Sequence, residues 1–222
     1  MKKIFLLPLL ALAGLFPAWT AHAADSSVSV RFSPAQQKEF LGKLEGNLKA
    51  SRTLQARFVQ EKHLLLFQDV LTSSGTFAFS VPSSLRWEIT SPFHSLLIMN
   101  GRELAKYDYI KGQPRRLKLP VADALFEVFG QIAGLHQGKF SEQAGKYELA
   151  VYSGEPARLV LVPKNKKMRQ FIPAIEMKFT PALDSVSSVR IREGESDYTL
   201  ISFEDVRLNP ELPAGLFAPE QK

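Results

Sequence analysis

The chain has 222 residues, 45% of them hydrophobic, a formal net charge of +6 and no cysteine. The missing thiol excludes disulfide scaffolds, cysteine catalysis and a lipid-modified N-terminal cysteine. A charge this modest, with no basic motif interleaved with aromatics, gives nucleic-acid binding no support.

Residues 1–23 read as an export segment and not as part of the fold. Lys2 and Lys3 form a basic head, Ile4 to Leu15 is an apolar run too short to span a bilayer, and Ala21-His22-Ala23 is a small-x-small cleavage site. The expected mature chain, 24–222, carries +4 once Lys2 and Lys3 are gone, and its length suits one domain. It contains no second long apolar run, so a product soluble after export is expected.

Ser33-Pro34 is an N-cap followed by a first-turn proline, and Phe40, Leu41, Leu44 and Leu48 then fall at helical spacing, predicting an amphipathic helix to about Ala50. Period-two alternation follows. Leu54, Ala56 and Phe58 alternate with Gln55, Arg57 and Val59, in a strand expected to run on through Leu64-Leu65-Leu66-Phe67. Further strands are expected at roughly 70–80, 84–90, 94–99, 102–109 and 114–119. Pro82-Ser83-Ser84 breaks one pair, and Asn100-Gly101 is a type I′ hairpin signal. Leu125, Val128, Phe129, Ile132 and Leu135 mark a second amphipathic helix over 122–135, opened by Pro120 and closed near Gly138. Strands then resume at Tyr147–Val151, Leu159–Leu161, Ile175–Phe179, Val186–Ile191 and Tyr198–Phe203.

The expected fold is therefore mainly β: about ten or eleven antiparallel strands, strongly bent, with two amphipathic helices. A sheet of that width encloses more volume than its own side chains easily fill. The residues expected to line its concave face are Phe58, Phe77, Phe79, Leu85, Trp87, Ile89, Leu97 and Met99, with Arg86 and Glu88 on the opposite face. Leu125, Phe129 and Ile132 would belong to a helical lid. The plainer reading makes all of these ordinary core, with Trp87 a packing anchor. Lys164, Lys166, Lys167 and Arg169 are placed in a hairpin turn, either solvated or docking an acidic partner; Arg115, Arg116 and Lys118 read alike.

No catalytic or metal site is predicted. His22 leaves with the export segment, His63, His94 and His136 stand apart without ligand spacing, and no nucleophile elbow, zinc-binding pair or phosphate loop occurs. No cofactor is expected.

With these residues in view, the chain resembles the periplasmic outer-membrane lipoprotein carrier family, LolA. The resemblance rests on the strand Leu54-Gln55-Ala56-Arg57-Phe58-Val59-Gln60-Glu61-Lys62, on Ser74-Gly75-Thr76-Phe77, on Pro82-Ser83-Ser84-Leu85-Arg86-Trp87-Glu88 and on Ser91-Pro92-Phe93. Asn100-Gly101-Arg102-Glu103-Leu104 is similar to the family's Asp-Gly-Lys-x-Leu hairpin. Phe203 to Asn209 and Leu216-Phe217 resemble its closing strand and tail. The resemblance implies an unclosed half-barrel with at least one helix as a lid over an apolar cavity. It implies a carrier that takes acylated lipoproteins from an inner-membrane releasing complex to an outer-membrane receptor, and a monomer is expected. The chain departs from the family at the arginine that would precede the proline and latch the lid, which is Val81, and at an aromatic position occupied by Leu85. Other readings stay open: a carrier of another amphiphile such as a glycolipid or polyene lipid, an envelope lipid sensor, or a scaffold with a filled barrel.

Overall fold

The structure is a computed structural model, and it describes residues 29–67, 69–118 and 140–220. Eleven strands form one antiparallel sheet in the order β6-β5-β4-β3-β2-β1-β11-β10-β9-β8-β7. The first meander comprises β1 (Thr53–His63), β2 (Leu71–Ser80), β3 (Ser84–Ser91), β4 (Ser95–Asn100), β5 (Glu103–Ile110) and β6 (Gln113–Leu117). The second comprises β7 (Tyr147–Tyr152), β8 (Arg158–Pro163), β9 (Ile175–Phe179), β10 (Val186–Arg192) and β11 (Tyr198–Leu208). The sheet does not close, since β6 and β7 lie at opposite ends of the strand order. This is the expected half-barrel.

Both free edges are managed locally. Pro114 and the exposed Arg115 and Arg116 sit on β6, where a missing donor and two charges discourage further pairing. On β7, residues 30–32 lie along the edge: the Phe32 N–H donates to the Val151 carbonyl and the Ser153 N–H to that of Val30, both at 2.8 Å.

Helix α1 (Pro34–Leu48) forms where the sequence signals it. Ser33 and Gln36 make a reciprocal capping box with Pro34 in the first turn. Leu44 and Leu48 bury its apolar stripe among Val151, Leu159, Leu161, Met177 and Phe179. Two short helices, α2 (Phe140–Gln143) and α3 (Lys166–Phe171), complete the described elements. The expected second amphipathic helix, with Leu125, Phe129 and Ile132, lies outside the described residues, as does the export segment.

Three local expectations are corrected. β1 stops at His63, and Leu64–Phe67 turn instead of continuing the strand; the Phe67 N–H closes on the Leu64 carbonyl at 2.9 Å. The hairpin at Asn100-Gly101 is present, but only Gly101 has positive φ (61°), whereas type I′ needs two such residues. The lysine cluster is a helix, because the Asn165 side chain accepts from the Lys167 and Met168 N–H groups and caps α3.

Two irregularities bend the sheet. Between Gln55 and Arg57 the partner strand β11 holds one extra residue, and Asp205, at φ 50°, takes the bulge while its carboxylate meets Arg57 at 2.8 Å. On the other side, β2 and β3 slip register between Ser74 and Gly75. A Cβ on Gly75 would lie 1.8 Å from the Glu88 carbonyl oxygen, so the two strand backbones approach as only glycine allows. Replacing Gly75 by Ala should therefore destabilise the chain by about 3 kcal/mol, read as a lowered urea midpoint with the slope unchanged. A midpoint equal to that of the parent would show that the strands part without cost.

Candidate functional site

Strand pairing decides which side chains share the concave face. Phe58 lies opposite Phe203, Phe77 opposite Trp87, Phe79 opposite Leu85, Leu85 opposite Met99 and Trp87 opposite Leu97. Directly paired residues point to the same side. All eight predicted lining residues thus fall on one face. Seven of them belong to a single apolar cluster that also takes in Leu54, Ala56 and Ile201. Leu97 is buried beside them, opposite Trp87.

The centre of the face is aromatic. The Trp87 ring sits 4.0 Å from that of Phe58 and 5.6 Å from that of Phe77, centroid to centroid. Phe203 closes the group, 5.7 Å from Phe77 and 6.4 Å from Trp87, edge on to the indole. Phe58, Phe79, Leu85 and Met99 are shut off from solvent, while Trp87 is half-buried. Val81, at the position of the expected arginine, packs against this same cluster and brings no charge to it.

Phe203 and Ile201 were not among the predicted lining residues. Of the apolar residues along Tyr198–Phe203, Tyr198 and Leu200 do not share parity with Phe203. The ladder instead puts Thr199, Ile201 and Phe203 inward, opposite Lys62, Gln60 and Phe58. Ile191 and Phe203 touch both this cluster and the α1-side cluster, so the apolar face is continuous from β4 to β8.

Toward the rim formed by the β1–β2 and β10–β11 turns the same face becomes polar. Lys62 pairs with Glu193 at 2.9 Å, and the Thr199 hydroxyl donates to the other Glu193 oxygen at 2.6 Å. Nearby, Ser95 donates to Asp108 at 2.8 Å, and Lys106 lies 3.8 Å from the same carboxylate. Apolar depth and charged rim make an amphiphilic gradient along the strands.

The convex face is built differently. Arg86 and Glu88, predicted to face away from the apolar side, do so. Arg86 forks onto Glu88 through Nη2 at 2.9 Å and Nε at 3.1 Å, and His94 Nε2 meets the other Glu88 oxygen at 2.7 Å. His94 stacks on Tyr109 at 3.6 Å. The C-terminal tail crosses here: Phe217 packs on Leu96, Ile98, Ala105 and Tyr107, and Arg86 donates to the Leu216 carbonyl at 3.4 Å. Glu220 bonds Tyr109, whose hydroxyl is pushed up to about 12 by burial, then by that hydrogen bond and the Glu220 charge. No cluster of carboxylates or histidines able to hold a metal occurs among the described residues.

Burial alone would raise the Glu88 carboxyl. The hydrogen bonds and charges of His94 and Arg86 outweigh it and hold Glu88 below the usual carboxylate range. The folded chain thus binds this proton less tightly than the unfolded chain. The resulting stability is present above the ordinary carboxylate pKa and is lost as pH falls through the lowered one. Replacing Glu88 by Gln should cost about 2 kcal/mol near neutral pH, and the gap to the parent should narrow below pH about 4. Thermal melts across that window measure it; a gap independent of pH would contradict the assignment.

Comparison with known proteins adds relatives. The family model described as "Outer membrane lipoprotein carrier protein LolA" matches residues 49–220. The chain is 28% identical over 204 residues, covering 92% of each chain, to a protein of Chromobacterium violaceum named outer-membrane lipoprotein carrier protein. A protein of Dechloromonas aromatica with the same name is 27% identical over 171 residues, 77% of this chain and 78% of its own. Among solved structures, a LolA superfamily protein from Nitrosomonas europaea aligns over 82% of this chain and 97% of its own at 12% identity and a TM-score of 0.43. So loose a superposition leaves the fold to rest on this chain's own strand pairing.

Proposed function

The chain belongs to the outer-membrane lipoprotein carrier family, LolA, and from that membership we propose that it is a periplasmic carrier sheltering the acyl chains of lipoproteins on its concave face. Its cargo would come from a releasing complex at the inner membrane and go to a receptor at the outer membrane. The observation that carries this reading is the single apolar face joining Phe58, Phe77, Trp87, Ile89 and Met99 on a sheet that does not close.

An acyl chain of about sixteen carbons costs on the order of 12 kcal/mol to leave in water. A carrier must offset most of that cost and still release the chain. Cargo that exchanges contacts with side chains already packed together meets both needs, because each apolar contact it makes replaces one it breaks. The rings around Trp87 and the thioether of Met99 suit this exchange, since they can repack around a sliding guest. Phe58, Phe77, Phe79, Leu85, Trp87, Ile89, Leu97 and Met99 would form the receiving wall, with Leu125, Phe129 and Ile132 as lid. The gradient along the face gives an orientation: the tail lies toward Leu85 and Met99, the polar end toward Lys62 and Glu193. No step of this role requires bond making or breaking by the chain.

Without residues 1–23, Trp87 is the only tryptophan, a reporter already sited in the aromatic cluster. Fatty acids brominated along the chain should quench its emission in proportion to binding, with the deepest bromines quenching most. Binding without quenching would remove the cluster from the cargo path. Native mass spectrometry of protein taken from the periplasm should show added mass matching acylated species; added mass matching a glycolipid would keep the receiving wall and change the cargo.

A further inference from the structure

In two meanders the connections alternate between the two rims of the sheet. One rim therefore collects the β1–β2, β3–β4, β5–β6, β8–β9 and β10–β11 connections. Six of the exposed large apolar side chains stand on or beside it: Leu65, Leu66, Phe67 and Val70 in the β1–β2 loop, Ile110 at the end of β5 and Phe171 at the end of α3. Leu65 and Leu66 are 81% and 87% exposed, well beyond what a solvated loop of a soluble domain needs.

These residues are displayed, not left loose. The Leu65 N–H donates to the Asp197 carboxylate at 2.7 Å, and the Phe67 N–H to the Leu64 carbonyl at 2.9 Å. The turn is tied to the β10–β11 loop beneath it while the leucine side chains point to water. The same rim carries Lys111, Lys164, Lys166, Lys167 and Arg169, all exposed. Of these, Lys111, Lys166, Lys167 and Arg169 make no ion pair among the described residues. The rim acids are partly engaged: Glu193 with Lys62 and Asp197 with the Leu65 N–H, leaving Asp69 and Glu195.

Protruding leucine and phenylalanine flanked by unpaired cations match an anionic phospholipid surface: side chains enter the acyl boundary while lysine and arginine meet the headgroups. We infer that this rim is a membrane-docking edge that inserts the Leu65-Leu66-Phe67 turn into an anionic bilayer, seated by the cations of α3 and the β5–β6 turn. The contact is reversible, since a few side chains and no spanning helix make it. It also sets the polar, rim end of the concave face against the headgroups, the geometry in which a tail could pass between bilayer and protein.

The inference stands on exposure and charge at one rim and not on the cargo assignment, so its test uses vesicles without cargo. The purified protein is sedimented with phosphatidylcholine vesicles with and without phosphatidylglycerol, over a range of salt. It should bind the anionic vesicles and lose affinity as salt rises. Replacing Leu65 and Leu66 together by Ser should weaken binding by about tenfold or more, with the melting temperature unchanged because both side chains are already in water. Replacing Lys166, Lys167 and Arg169 by Gln should cost about fivefold for each cation and flatten the salt dependence. Absence of binding to anionic vesicles, or binding indifferent to the leucine pair, would overturn the proposal. So would a concentration-dependent dimer that the leucine variant dissolves, since the edge would then be covered by a second copy of the chain. Vesicle binding that persists when brominated acyl chains fail to quench Trp87 would sink the carrier reading and leave the docking edge in place.

Discussion

The antiparallel pairing of β1 with β11 is the constraint on which the architecture depends. These strands are the first and last in the sheet-forming chain, and each is also the inner end of a meander. Without their ladder, from Leu54 opposite Leu208 to His63 opposite Tyr198, there would be two smaller sheets, each with an exposed edge. With it, Phe58 and Phe203 face each other, and the apolar surfaces of both meanders merge through Ile191 and Phe203. The bulge at Asp205 bends that seam.

Because side chains alternate along every strand, one seam also fixes what the other face must be. The inward residues are aromatic or aliphatic over most of the sheet. The outward ones include charged side chains in partly buried settings, beside the apolar Leu96 and Ile98 that the tail covers. Arg86, Glu88 and His94 solve this among themselves, and Arg158 and Arg192 do so around Glu176 on the second meander, at 3.1 and 2.7 Å. Removing one member of such a group leaves its partners buried and unmatched, which is why these clusters act as units. At the other boundary of the sheet, the rim, apolar and cationic side chains have no such partners and remain available to an external surface.

Much of this was legible from the residues. Apolar patterning and turn residues marked the strands, and period-two alternation put Phe58, Phe77, Phe79, Leu85, Trp87 and Ile89 on one face because those strands carry few irregularities there. The Ser33-Pro34 cap located α1 because capping is local chemistry. Local signals failed where the next residues obeyed a different rule. The apolar run Leu64–Phe67 looked like more strand, yet apolar character does not require pairing, and the side chains of Leu65, Leu66 and Phe67 are exposed. The lysine-rich stretch after β8 looked like a turn until the Asn165 cap organised it as a helix. On β11, apolar side chains occur on both parities, Tyr198 and Leu200 against Ile201 and Phe203, and only pairing with β1 shows which set faces inward.

By itself, the sequence determined the class of the fold, the short amphipathic helix at its start and the apolar set that one face must bury, because each follows from side-chain periodicity and capping within a few residues. Tertiary structure alone decided that the first and last strands meet, that the C-terminal tail lies over Leu96 and Ile98, and that distant loops bring leucines and lysines to one rim. Those outcomes depend on pairing register and on the alternation of connections across the whole sheet. No local stretch of chain carries that information.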